Sequence, residues 1–168
     1  MTAEVTHIIH ANVVVRDIER SKRFYTEMLG ARVVRDWHGE SSTTPIALGF
    51  EGVEVARWHA YMLRWGEGDD TAFPQIDLLQ WLEPESTGEA VDRLNNIGIA
   101  RIALGVTNVD ELYRDLSAKG VDFVSPPVPI NPATERGRRM KICCLRDPDG
   151  VFIELVGAGD GDEQRRKD

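Results

Sequence analysis

The sequence predicts an α+β fold assembled from two copies of a strand–helix–strands unit. Three observations predict it. A β-branched apolar run, Ile8 to Val15, leads into a capped amphipathic helix. The same order recurs from Ile99 onward. Four separate strands alternate so that an aliphatic face backs a face carrying one ionisable residue.

In the first unit Asp17 is placed to cap a helix whose apolar residues Ile18, Phe24, Tyr25, Met28 and Leu29 gather mainly on one side. Gly30 sits where a helix-terminating glycine belongs, and Ala31–Trp37 restarts as a strand. Further strands are expected at Ile46–Phe50, Val53–Trp65 and Ile76–Leu82. Gly66–Pro74 reads as a loop, and Glu83–Asn96 as a polar linker with some helical character. In the second unit Ile99–Val106 is a strand and Asn108 a candidate N-cap. Val109, Leu112 and Leu116 form a helical stripe, Gly120 stops the helix, and Val121–Val124 restarts a strand. Met140–Leu145 and Val151–Val156 follow, joined by Asp147-Pro148-Asp149-Gly150, which suits a type I turn. Between them Ser125–Arg139, with four prolines and then Arg136, Arg138 and Arg139, reads as a long surface loop. The offset that sets Val15 on Val106 also sets His10 on Arg101, while the stopping glycines Gly30 and Gly120 fall one residue off it. The expected organisation is a single domain over 1–157, with a first module at 5–84, a linker at 85–96, a second module at 97–157 and a disordered tail at 158–168.

At 168 residues, 42% of them hydrophobic and 29% charged, the chain suffices for an ordinary globular core. Its net charge of −8 argues against binding nucleic acid by neutralising phosphates. The opening MTAEVTHIIHANVVV lacks a basic stretch followed by a small-residue cleavage site, and no window reaches the ~20 apolar residues of a membrane helix. A cytoplasmic protein without a membrane partner is therefore expected. The adjacent Cys143 and Cys144 point to opposite faces of a strand and are poorly placed to bridge each other.

Strand parity supplies the mechanistic clue. Ile9, Ala11, Val13 and Val15 oppose His10, Asn12 and Val14, while Ile76 and Leu78 oppose Asp77, Leu79 and Trp81. In the second copy Ile102, Leu104 and Val106 oppose Arg101, Ala103 and Gly105, and Val151, Ile153 and Leu155 oppose Phe152, Glu154 and Val156. Each aliphatic face suits a covering helix, and the opposite faces carry His10, Asp77, Arg101 and Glu154. Burying such groups alone costs several kcal/mol, so they are expected to pair, bind a metal or contact a ligand.

Two segments carry a family resemblance. His10-Ala-Asn-Val-Val-Val15-Arg-Asp17 followed by Ser21-Lys-Arg-Phe24-Tyr25-Thr-Glu-Met-Leu29-Gly30, and the closing Asp147-Pro148-Asp149-Gly150-Val-Phe-Ile-Glu154-Leu155, resemble the vicinal oxygen chelate (glyoxalase/bleomycin-resistance/dioxygenase) superfamily. The resemblance implies tandem βαβββ modules forming an open, U-shaped mixed sheet around a cavity, in a homodimer. It implies metal ligands at His10, Asp77 and Glu154, with Glu154 the default catalytic group. Arg101 stands where a second histidine is expected, and a guanidinium has no lone pair to offer a metal.

Three readings stay open from the sequence. In one, a divalent metal (Mn, Ni, Co, Fe or Zn) on His10, Asp77 and Glu154 serves a glyoxalase-like isomerase, lyase or epimerase working through an enediolate. Arg101 then clamps an anionic substrate, with Asn12 and Trp81 also in contact with it. In another, Arg101 is ion-paired, the metal is absent, and the cavity binds an antibiotic or natural product against Trp37, Trp58, Trp65 or Trp81. In the third the four groups are a structural network. An extradiol dioxygenase needs a second histidine, which His59 would supply if its strand borders the cavity. His7 and His38 are expected near strand ends in solvent.

Overall fold

In each half of the chain the first strand lies beside the last, and the helix between them covers one face of the sheet. The structure is a computed structural model describing residues 7–67, 75–130 and 140–160. The chain divides into two compact units, Met1–Gly88 and Glu89–Asp168.

In the first unit β1 (His10–Val14) is followed by α1 (Ile18–Arg23), which continues as a π-helical turn over Phe24–Met28. Asp17 caps the helix, its carboxylate accepting from the Arg20 N–H at 2.9 Å. Gly30 ends it at φ 68°, a left-handed conformation natural to glycine. Then come β2 (Arg32–Ser41), α2 (Thr44–Leu48), β3 (Ala56–Arg64) and β4 (Gln75–Glu83). The sheet order is β1-β4-β3-β2, with β1 parallel to β4 and the other pairs antiparallel. Val13, Val15, Ile76, Leu78, Leu63 and Tyr61 meet Ile18, Ser21 and Tyr25 of the helical segment in a buried layer. Val13 and Val15 are buried as parity requires, whereas Ile9 is exposed.

The second unit repeats the plan. β5 (Ile102–Asn108), α3 (Val109–Ala118), a two-residue β6 (Val128–Pro129), β7 (Met140–Arg146) and β8 (Phe152–Ala158) form a sheet of order β5-β8-β7-β6. Again the outer first strand is parallel to the last. The Asn108 carboxamide oxygen caps α3 through the Glu111 N–H at 3.1 Å. The tight turn before β8 is closed by Gly150 N–H to the Asp147 carbonyl at 3.0 Å, and the Asp147 carboxylate accepts from Asp149 and Val151 N–H. The expected α+β fold forms, as two open, four-stranded mixed sheets.

Several local expectations are corrected. Ile46–Phe50 is not a strand, because Pro45 initiates the short α2 and Gly49 at φ 70° ends it. Val121–Val124 forms no strand but an isolated bridge, Phe123 to Leu145, closed by Val124 N–H to the Cys144 carbonyl and Arg146 N–H to the Asp122 carbonyl. The segment before β5 has turns and bends instead of helix. The last strand also runs past 157, to Ala158, and the Asp160 carboxylate takes Arg114 at 2.7 Å and Asn108 at 3.1 Å. The remaining tail from 161, most of the expected 66–74 loop, and Arg136, Arg138 and Arg139 lie outside the described residues. No helix among the described residues is long and apolar enough to cross a membrane.

Two glycines are fixed by neighbours. A Cβ on Gly39 would fall 2.1 Å from the Trp58 ring, which lies across it, and a Cβ on Gly157 would fall 2.0 Å from the Val106 carbonyl oxygen. Gly105, one residue earlier on the same β5, has open space. Gly157→Ala should therefore destabilise the protein by about 2 kcal/mol, while Gly105→Ala stays within about 0.5 kcal/mol of wild type. Urea unfolding followed by circular dichroism measures both, and equal midpoints would refute the close approach.

Candidate functional site

The expected site residues fall into two equivalent pairs, one in each unit. In the first, Asn12 on β1 lies opposite Asp77 on β4, and His10 is two residues before Asn12 on the same face. In the second, Ala103 on β5 lies opposite Glu154 on β8, and Arg101 is two residues before Ala103. The duplicated geometry thus sets a basic group diagonally across a parallel pair from a carboxylate, twice.

In the first pair His10 Nε2 stands 4.0 Å from Asp77 Oδ2, with the His10 side chain 35% exposed and the Asp77 side chain 9%. Asp77 Oδ1 is buried without a hydrogen-bond partner among the described residues. Burial pushes the Asp77 carboxyl above the ordinary aspartate value, an effect that His10 and a hydrogen bond from Asn12 only partly offset. Asn12, expected on a substrate, is thus engaged by Asp77.

In the second pair Arg101 Nε meets Glu154 Oε1 at 2.9 Å. Glu154 is 12% exposed and Arg101 43%, so the carboxylate is covered while the guanidinium stays reachable. Cys144 lies opposite Glu154 on β7 and shares its face. Burial, with Glu154 second, raises the Cys144 thiol pKa. Cys143, on the opposite face against Leu155, is pushed up to about 11 by burial. Both thiols are free. Parity could have found Cys144 once the β7–β8 register was known.

Trp81 shares the Asp77 face, as its two-residue periodicity predicts. Its ring packs edge-on to Phe50 at 5.0 Å and against Trp58 at 5.7 Å. A recess of about 370 Å³ is lined by Arg16, Gln80, Trp81, Leu82, Glu85 and Ser86, so it adjoins neither His10 nor Asp77. Trp65 spends its indole N–H on the Leu29 carbonyl, and Trp37 stacks under Arg35.

His59 is not on the Asp77 face. Met62 is the β3 residue opposite Asp77 and His59 lies three residues away, so it points to the helix-covered side. There it stacks on His38, ring centroids 3.8 Å apart, and reaches Asp36 Oδ1 at 2.9 Å. His38 is exposed but lies within β2, not at a strand end. Asp36, His38 and His59 offer ligand atoms that all lie within 4.8 Å of one another. The alternation of Asp36 and His38 was the available signal, but the register that brings His59 beside them is a long-range property.

The glyoxalase/bleomycin resistance protein/dioxygenase superfamily model matches residues 7–155. The chain belongs to this superfamily. Among relatives, a lactoylglutathione lyase of Schizosaccharomyces pombe is 24% identical over 88% of this chain, which spans about half (46%) of that protein. A lactoylglutathione lyase of Salmonella typhimurium is 26% identical over 91% of this chain and 93% of its own length. Among solved structures, a glyoxalase family protein from Bacillus cereus superposes with TM-score 0.75 at 18% identity, covering 94% of this chain and 97% of that one. The glyoxalase I of Leishmania major gives TM-score 0.61 at 23% identity, covering 97% and 91%. These likenesses establish the superfamily fold.

Against the four-position metal set that the resemblance implies, the residues fit only in part. His10 and Asp77 offer an imidazole and a carboxylate with an unpartnered oxygen. Position 101 does not fit, because its guanidinium cannot ligate and holds Glu154 instead.

The fold favours the protonated form of Asp77, so this side chain is least unfavourable below the ordinary aspartate pKa. Its cost grows as pH rises through the window between that value, 3.8, and the raised one, and is constant above it. Asp77→Asn should therefore be more stable than wild type at pH 7, by about 1 kcal/mol, with the difference fading toward pH 3. Urea titrations across that range measure it; a destabilised variant at pH 7 would contradict the burial argument.

Proposed function

We propose that this chain is a lyase- or isomerase-type member of the superfamily that takes a small oxygenated, anionic molecule at Arg101. The observation that carries the reading is the Arg101–Glu154 contact: Nε is tied down at 2.9 Å while the side chain stays 43% exposed. A guanidinium anchored through Nε presents its terminal N–H groups in a fixed plane, which suits a carboxylate or phosphate. Glu154 acts here as the group that orients Arg101. His10 and Asp77 form a second polar pair, in which a carboxyl of raised pKa beside an imidazole is suited to holding or moving a proton. The relatives named as lactoylglutathione lyases support the lyase class.

A second reading, binding of a small molecule without turnover and without a metal, is favoured by the same contact. A cation on Glu154 would have to displace its ion pair with Arg101.

Arg101→Ala and Arg101→His separate the readings. The assay is thioester formation from the hemithioacetal of glutathione and methylglyoxal, with calorimetric binding of small carboxylates and phosphates. Wild type should turn over or bind an anion, and Arg101→Ala should lose at least about tenfold in kcat/KM or affinity. Arg101→His should bind divalent metal more tightly and the anion more weakly. Turnover favours the lyase; anion binding without turnover favours the binder. Wild-type behaviour in both variants removes Arg101 from the site.

A further inference from the structure

We infer that Asp36, His38 and His59 form a site for a borderline divalent transition cation, such as Zn(II), on the β2–β3 ladder, separate from the superfamily positions. His38 and His59 are direct cross-strand partners, so the backbone pairing holds their imidazoles together. Asp36 is two residues from His38 on the same strand face, opposite Tyr61. Their donor atoms all lie within 4.8 Å of one another, and Asp36 Oδ1 is already 2.9 Å from His59 Nε2. A tetrahedral ion with bonds of about 2.0–2.2 Å draws such donors together with small side-chain rotations and leaves a fourth position for water.

The geometry of the cluster suits a shared cation. The rings stack at 3.8 Å and 16°, which holds the two imidazoles side by side. The neighbouring groups are also set for it. His59 is packed against Tyr61, whose hydroxyl donates to Glu19, and Glu19 in turn takes Lys22. Lys22 is thus engaged by Glu19 and by Tyr61 (3.2 Å), while the carboxylate of Asp36 meets His59. One imidazole pair and one carboxylate match the donor preferences of Zn, Ni, Co and Cu over Mg or Ca. The side chain of His59 is only 13% exposed while that of Asp36 is 55%, so the site is anchored from below and open to solvent above.

This site is tested on the full chain after dialysis against chelator. Co(II), with its visible absorption, and Zn(II), by competition with a chromophoric chelator, are the probes. The variants are His38→Ala, His59→Ala, His59→Gln, Asp36→Asn and His10→Ala. The proposal expects one equivalent of ion in wild type and His10→Ala, with affinity lowered at least about tenfold in each histidine variant and in Asp36→Asn. Added Zn(II) should raise the thermal midpoint of wild type and not of His59→Gln. Circular dichroism confirms that each variant is folded. Binding that survives His38→Ala and His59→Gln, or that is lost only in His10→Ala, overturns it, as does a wild-type protein that binds neither ion. Failure here leaves the Arg101 reading untouched, since no residue is shared.

Discussion

The parallel contact between first and last strands is the constraint on which the rest depends. Among the described residues, β1 against β4 and β5 against β8 are the only parallel pairs in the two sheets, each set among antiparallel neighbours. A parallel neighbour cannot be reached by a tight hairpin, so the chain must cross over, and in each unit it does so with a helix. That helix covers one face and claims Val13, Val15, Ile76 and Leu78 in one unit, and Ile153 and Leu155 in the other. What is left on the opposite face is decided by the pleat alone. A one-residue slip would send His10 and Arg101 under the helix and the valines out.

The two copies have diverged in a chemically coherent way. The same diagonal carries imidazole and carboxylate in the first unit, and guanidinium and carboxylate in the second. In the first pair His10 stands 4.0 Å from Asp77, one oxygen of Asp77 lacks a hydrogen-bond partner among the described residues, and burial weakens its acidity. A guanidinium stays charged and satisfies Glu154 directly. The duplication therefore preserves geometry while changing what the geometry can hold, which is why superfamily membership alone does not fix the chemistry.

Much of the fold was legible because its signals are local. Asp17 and Asn108 cap their helices as their spacing predicts, Gly30 and Gly120 stop them at positive φ, and the Asp147–Gly150 turn closes as written. Alternation placed His10, Asp77, Arg101 and Glu154 correctly opposite the aliphatic faces. The errors came where tertiary pairing overrides composition. Ile46–Phe50 has the residues of a strand, yet Pro45 and Gly49 bracket it into a single helical turn. Val121–Val124 is β-branched at its ends, yet it meets β7 through a single bridge, Phe123 to Leu145. His59 lies on the helix-covered face and so supplies no second histidine beside Asp77, and its partnership with His38 follows from a register between strands that no single-strand pattern reveals.

One asymmetry between the units bears on how the protein can be watched. Trp37, Trp58, Trp65 and Trp81 all belong to the first unit, and Trp58 and Trp81 pack ring against ring there. Cys143 and Cys144 both belong to the second. Indole emission therefore reports on one half of the chain and thiol accessibility on the other. A denaturation followed by both signals has a built-in reporter for each copy of the ancestral module, with no label added.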